Sequence, residues 1–173
     1  MSGAPAPALG LFSRRARRHR VDYFLARLPE DARILDIGCA DNWFKRDAAA
    51  RGWRNVTGID VLPTADVVGD VRNWRELGLA PHAADAIVAI ELIEHGDFTD
   101  AFHDLLKPDG VLLATTPVPR WDPLCNVLER AHLFQKRTSP HSNLTDLRRL
   151  PRFEVVDYRV HALISQWAVL RPL

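Results

Sequence analysis

Arg33-Ile34-Leu35-Asp36-Ile37-Gly38-Cys39 is followed, across a short helical stretch, by Val56-Thr57-Gly58-Ile59-Asp60. The first run is apolar and ends in a glycine at a strand-to-helix turn. The second is apolar and ends in an acid. Two parallel strands joined by a helix would bring that tight turn and that carboxylate to the same edge of a sheet, where open α/β sheets bind ligands. A glycine there lets the backbone approach a ligand closely. A carboxylate there can accept charge-assisted hydrogen bonds from two ribose hydroxyls, so the pair reads as a nucleoside-binding crossover.

Outward from this unit, strand-like and helix-like periods alternate, the pattern of a mostly parallel sheet covered on both faces. Strands are expected near 33–37, 55–60, 65–69, 84–90, 110–115, 153–160 and 162–170. Asp41 or Asn42 can cap a helix that stops at Gly52, and Phe98, Ala101, Phe102 and Leu105 mark another that stops before Pro108. The last two apolar runs almost touch, as an antiparallel hairpin requires; a parallel return would need a crossover of about a dozen residues. Upstream, Arg14-Arg15-Ala16-Arg17-Arg18-His19-Arg20 runs into Val21, Phe24, Leu25 and Leu28 at helical spacing, predicting an amphipathic helix with a basic first half. Its arginines read as a solvated face, an anion or RNA contact, or part of a transit peptide. Residues 1–12, rich in Ala, Pro and Gly, are expected to fray, leaving a domain over 13–173.

At 173 residues the chain suits one domain, large enough to bury a core without metal or disulfide support. A formal charge of +1 provides no net field to steer a polyanion, so nucleic acid is not an expected partner. The two cysteines, Cys39 and Cys125, lack metal-type spacing, and a disulfide framework is not expected beside so much apolar sequence. No apolar run reaches the length that spans a bilayer, and no signal-peptide core precedes the domain. The expected setting is the reducing cytoplasm, with no membrane partner.

Five segments in order resemble the class I S-adenosylmethionine-dependent methyltransferases. Asp36-Ile37-Gly38-Cys39 is similar to their first motif, and Asp60 falls where their ribose-binding acid falls. Gly69-Asp70-Val71 resembles the segment whose acid contacts adenine. Glu91-Leu92-Ile93-Glu94-His95 resembles the end of their fourth strand, and Leu106-Lys107-Pro108-Asp109-Gly110-Val111-Leu112-Leu113 the turn into their fifth. The similarity spans roughly 30 to 160. It implies a seven-stranded Rossmann-like sheet of order 3-2-1-4-5-7-6 with the last strand antiparallel, and S-adenosylmethionine as cofactor. It further implies cofactor contacts from Asp36, Gly38, Cys39, Ala40, Asp60, Val61, Asp70, Val71 and Glu91. The bland alternatives are that Asp36 caps the nearby helix and Asp70 a turn. One departure stands out: the family's G-x-G-x-G is here Gly38-Cys39-Ala40-Asp41-Asn42, so only the first glycine is kept. A nicotinamide-dependent dehydrogenase fits less well, since G-x-G-x-x-G is absent.

Glu91, Glu94 and His95 follow the strand Ala86-Ile87-Val88-Ala89-Ile90 and therefore sit at the reactive edge. They are the candidate catalytic residues, with His95 as general base or substrate contact. Structural roles for Glu94 and His95, a helix cap or a salt bridge, are the alternative. No metal is assigned, although Glu91, Glu94 and His95 with His141 would suit a divalent ion, as in the resembling small-RNA 3′-end and quinone-biosynthesis enzymes. The stretch from Thr115 to Leu150 is the expected acceptor region. It offers Trp121 and His141 as substrate contacts, Lys136 and Arg137 for an anionic or polyhydroxyl acceptor, and a helix through Leu124, Val127, Leu128 and Ala131. Of Trp43 and Phe44, one could cover the cofactor and the other join the core. The resulting expectation is methyl transfer to oxygen or nitrogen of a small molecule. The alternatives are a metal-assisted enzyme for an RNA 3′ end or catechol-like hydroxyl, or a degenerate binding module. Oligomeric state is not legible.

Overall fold

The computed structural model describes residues 11–119 and 145–173. The expectations for Trp121, Cys125, Lys136, Arg137, His141 and the helix through Leu124 to Ala131 lie outside the described residues. So do residues 1–10; Leu11 and Phe12, placed at the end of the fraying tail, already belong to the first helix.

That helix, α1 (Leu11–Leu25), precedes β1 (Ile34–Ile37), α2 (Trp43–Ala49), β2 (Val56–Asp60), β3 (Val67–Val68), β4 (Ala84–Ile90), α3 (Thr99–Leu105), β5 (Leu106–Pro117), β6 (Phe153–His161) and β7 (Ser165–Pro172). The strands form one sheet ordered β3-β2-β1-β4-β5-β7-β6. β3, β2, β1, β4 and β5 run parallel, whereas β7 pairs antiparallel with both β5 and β6. This is the expected order and the expected hand of the final strand.

Two apolar layers explain why the strands read as nearly continuous hydrophobic runs. Successive side chains point to opposite faces, and both faces are covered. On one face Ile34, Ala86, Val88, Leu113 and Val169 pack with Val21, Phe24 and Leu25 of α1 and Phe44 and Ala48 of α2. On the other, Leu35, Ile37, Ile87, Ala89, Leu112 and Leu170 pack with Ala101, Phe102 and Leu105 of α3, Trp74 and Leu147. Phe24, Phe44 and Phe102 are fully buried, each contributing on the order of 2–3 kcal/mol. Phe44 therefore belongs to the core, and Trp43 is only partly buried beside it. Among the described residues, no helix is long and apolar enough to cross a membrane.

Local boundaries depart from the sequence reading where tertiary contacts intervene. Asn42 precedes α2 but makes no side-chain cap bond; its amide donates instead to Thr64 O at 2.8 Å. Gly52, at φ +110°, closes the turn after α2, as expected of a helix-terminating glycine. β5 begins directly at Leu106 rather than at 110. Pairing jumps from Ala84↔Leu106 to Ala86↔Val111, so Lys107–Gly110 bulges out of the strand instead of preceding it. Lys107 anchors the bulge by an ion pair to Asp85, and a Cβ on Gly110 would press within 3.0 Å of Lys107 O. β7 begins at Ser165, not 162, because Ala162 and Leu163 adopt left-handed conformations that turn the hairpin.

Candidate active site

The carboxyl ends of β1, β2 and β4 converge on the loop Gly38–Asn42. Gly38, Ala40 and Asn42 all have positive φ, at 76°, 51° and 59°. The loop thus adopts the left-handed conformations that glycines would normally supply, although two of the three residues carry a Cβ. That conformation costs roughly 1–2 kcal/mol for an ordinary L residue and less for asparagine. Neighbouring contacts offset it. Thr64 Oγ1 donates to Ala40 O at 2.6 Å, and Asn42 bonds Thr64 as above. Gly58 of β2 makes room: a Cβ there would lie 1.9 Å from Asn42 Oδ1 and 2.8 Å from Cys39 Sγ. Gly58, Thr64 and Asp66 were missed from sequence as parts of this site. A glycine inside a strand is itself a signal of close approach, and that signal was present.

The loop's own donors are committed inward. Gly38 N–H and Cys39 N–H both point at Ile59 O, at 2.8 and 3.4 Å. Ala40 N–H donates to Asp60 Oδ2 at 2.9 Å, and Leu62 N–H to Asp60 Oδ1 at 3.0 Å. The Cys39 side chain is buried against Gly58, with its thiol pushed up to about 12 by burial and by Asp36. Of the predicted cofactor contacts, Cys39 can therefore offer backbone only. Val71 is similar, since its side chain is 3% exposed and packs with Trp74. Val61, just past Asp60, is 68% exposed.

Asp36 lies 2% exposed on β1, and its Oδ2 is buried without a partner. Its carboxyl is pushed up to about 8, first by burial and then by Asp60, Asp66 and Asp41. It caps no helix. Asp66 is itself held by Lys45 at 2.7 Å and by Gly58 N–H at 2.7 Å. Asp70 caps the turn Val71–Asn73, accepting from Arg72 N–H at 3.0 Å, and forms an ion pair with the Arg72 guanidinium that holds its carboxyl below the usual range. The alternative reading of Asp70 as a turn cap is thus realised.

Charge decides what this edge can hold. At this edge the Gly38, Cys39 and Ala40 N–H groups are already bonded, and Asp36 and Asp60 lie near Asp41 and Asp66, which pair with Arg46 and Lys45. A cationic nucleoside fits. An ammonium or sulfonium would meet the orphaned Asp36 oxygen, and ribose hydroxyls would meet Asp60. The residues present suit S-adenosylmethionine.

Beyond β4, Glu91 adopts φ 51°, a left-handed conformation that turns its side chain toward β5 and β7. Its Oε1 accepts from Arg20 Nη2 of α1 at 2.9 Å, from Thr115 Oγ1 at 2.9 Å and from Ser165 Oγ at 3.4 Å. Arg20, Thr115 and Ser165 are partners that sequence reasoning did not find, because they come from three distant segments. Glu94 is 1% exposed and accepts from Thr116 Oγ1 at 2.8 Å; burial and Glu91 push it up to about 7. His95 is exposed. The three do not form a ligand set: among the described residues no group of three His, Cys, Asp or Glu could hold a metal ion. Glu91 turns toward β5 and β7, Glu94 is buried and His95 is exposed; His141, the fourth member of the metal alternative, lies outside the described residues.

A family model described as a methyltransferase domain matches residues 11–167. No curated protein matches the chain in sequence. Solved structures share its fold at low identity. The PH0226 protein of Pyrococcus horikoshii OT3 aligns with TM-score 0.67 at 16% identity, over 92% of this chain and 91% of that one. Geranyl diphosphate methyltransferase, solved in complex with SAM, aligns at 0.63 and 13%, over 98% and 93%. Magnesium protoporphyrin IX methyltransferase of Synechocystis PCC 6803, solved with bound SAH, aligns at 0.62 and 12%, over 97% and 90%. Strand order and a family match over nearly the whole length agree, and the chain belongs to the class I S-adenosylmethionine-dependent methyltransferases.

Proposed function

We propose that this protein transfers a methyl group from S-adenosylmethionine to an oxygen or nitrogen of a small-molecule acceptor. The observation that carries the reading is the buried, unpaired Asp36 oxygen among Asp41, Asp60 and Asp66 at the carboxyl edge. When bound, the cofactor supplies a methyl group on a sulfonium, a leaving group good enough that alignment of the acceptor is the main task left to the protein. Asp36 opposes the cationic methionine end, and the backbone of Gly38, Cys39 and Ala40 walls it. Asp60 holds the ribose, while Val61, Asp70 and the Val71 backbone flank the adenine.

On the acceptor side, Glu91 is fixed by Arg20, Thr115 and Ser165, and can hold a donor group of the acceptor in line. His95, exposed beside it, takes the acceptor proton. Glu94 is too deeply buried to touch an acceptor. It acts through Thr116 as a positioning residue. Trp121 and His141 are kept as acceptor contacts on the strength of their place after β5. The near-zero net charge supports a small acceptor over a polyanion.

Titration calorimetry with S-adenosylhomocysteine on wild type and Asp60→Ala tests the reading. Losing charge-assisted bonds to two hydroxyls lowers affinity by about 1.5–3 kcal/mol. Unchanged affinity removes Asp60 from the site, and a wild type that binds neither S-adenosylmethionine nor its product overturns the cofactor assignment.

A further inference from the structure

Arg20 reaches from the basic half of α1 to the reactive edge, where Glu91 takes only its Nη2. Its Nε–H is buried and has no acceptor. Around it stands a set of rings on the same side of the sheet. His19 lies 5.3 Å from His161 and 5.9 Å from Trp167, centroid to centroid, and His161 stacks on Trp167 at 4.5 Å. Trp167 is pinned in turn by its Nε1–H donating to Ser165 Oγ at 3.1 Å, the same hydroxyl that faces Glu91.

The acids on this face are already engaged. Asp157, two positions before Arg159 and four before His161 on one face of β6, is held by Arg27 at 2.6 Å, Tyr23 at 3.3 Å and Arg159 at 3.4 Å. The one oxygen of Glu91 named above receives three donors. His161 is held below its ordinary value first by burial and then by the nearby His19 and Arg20. Among the described residues, no carboxylate answers His19, His161 or Arg20 Nε.

We propose that the methyl acceptor carries an oxyanionic group, a carboxylate or a phosphate, seated between α1 and the β6–β7 hairpin against Arg20, His19 and His161. Arg20 then bridges the acceptor's anion and Glu91, setting the acceptor's reach to the methyl group. A planar guanidinium suits this double task, since its fork offers separate donors to two oxyanions. The word acceptor rests on the methyltransferase reading; the anion site does not.

The test is proton–carbon NMR of the His19 and His161 ring resonances in the full chain, with inorganic phosphate and benzoate titrated separately in the presence of S-adenosylhomocysteine. The expected result is a saturable shift of both rings with at least one probe, weakened about tenfold or more in Arg20→Gln. Phosphate alone or benzoate alone identifies which anion the site prefers. No saturable shift with either probe, or equal affinity in Arg20→Gln, overturns the proposal. Should Arg20→Gln lose its fold, His161→Gln with the His19 resonance makes the same comparison, and undiminished affinity there overturns it equally. Calorimetry with S-adenosylhomocysteine on the same samples separates the two readings. Cofactor binding without the anion pattern sinks only this site, whereas the anion pattern without cofactor binding keeps the site and removes its assignment to a methyl acceptor.

Discussion

Replacing Asp36 by Asn tests the electrostatic logic of the cofactor edge. The wild-type carboxyl is pushed from 3.8 up to about 8 by burial and then by three neighbouring acids. Between those two pH values the folded protein holds a proton that the unfolded chain has released, so stability falls as pH rises across the window. Asp36's contribution is complete below pH 3.8 and lost by about pH 8. At about 1.4 kcal/mol per pH unit over some four units, the loss is on the order of 5 kcal/mol. That is comparable with the whole stability of a small domain. Asn keeps the shape and cannot titrate. Urea unfolding of both proteins at pH 5, 6, 7 and 8 should show the variant gaining on wild type by about 1.4 kcal/mol per unit, tapering toward pH 8. Parallel curves would refute the argument. The same logic predicts proton release when S-adenosylmethionine binds wild type near pH 7, because a cation beside Asp36 favours its ionised form. Calorimetry in buffers of different ionisation enthalpy measures that release, and Asp36→Asn should lack it and bind the cofactor more weakly.

Other substitutions probe the loop and the second acid. Gly58→Ala places a Cβ 1.9 Å from Asn42 Oδ1, so it should destabilise by about 2 kcal/mol or more in thermal unfolding; a neutral result means the loop can move away freely. Ala40→Gly relieves a left-handed alanine and should be neutral to stabilising by up to about 1 kcal/mol, whereas Asn42→Gly also loses the bond to Thr64 and should destabilise relative to it. Equal effects would mean that the Thr64 contacts contribute nothing. Glu94→Gln keeps an acceptor for Thr116 and removes a carboxyl pushed up to about 7. Because that folded value is raised, wild-type stability declines between pH 4.5 and 7, so the variant should match wild type near pH 4 and exceed it at pH 8 in denaturant melts. The reverse order would show that the ionised Glu94 is stabilised by its surroundings.

Much of the carboxyl edge of the sheet was legible in the linear pattern. The run Ile34–Ile37, the glycine after it and Asp60 at the end of β2 are local facts, and a right-handed parallel crossover leaves one place for them to meet. The same holds for the β6–β7 hairpin, which near-contact of two apolar runs announces, although Ala162 and Leu163 delayed the start of β7. The bulge at Lys107–Gly110 was misread as a turn because Asp85, its ion-pair partner, lies on another strand. The partners of Glu91 were not legible, because its left-handed conformation brings it to Thr115 and Ser165 on other strands.

Periodicity and short connections in the sequence determined the alternation of strands and helices, the two-faced core and the closing hairpin, because they dictate which residues share a face; the strand order followed from the resemblance of five segments to the methyltransferases and agrees with the sheet. Tertiary structure alone decided that Asp36 is an orphaned carboxyl among acids, that Ala40 and Asn42 keep a glycine-like loop over Gly58, and that Arg20, Thr115 and Ser165 close on Glu91. Those outcomes depend on desolvation and on contacts between segments up to 74 residues apart. Neither quantity exists until the chain has folded.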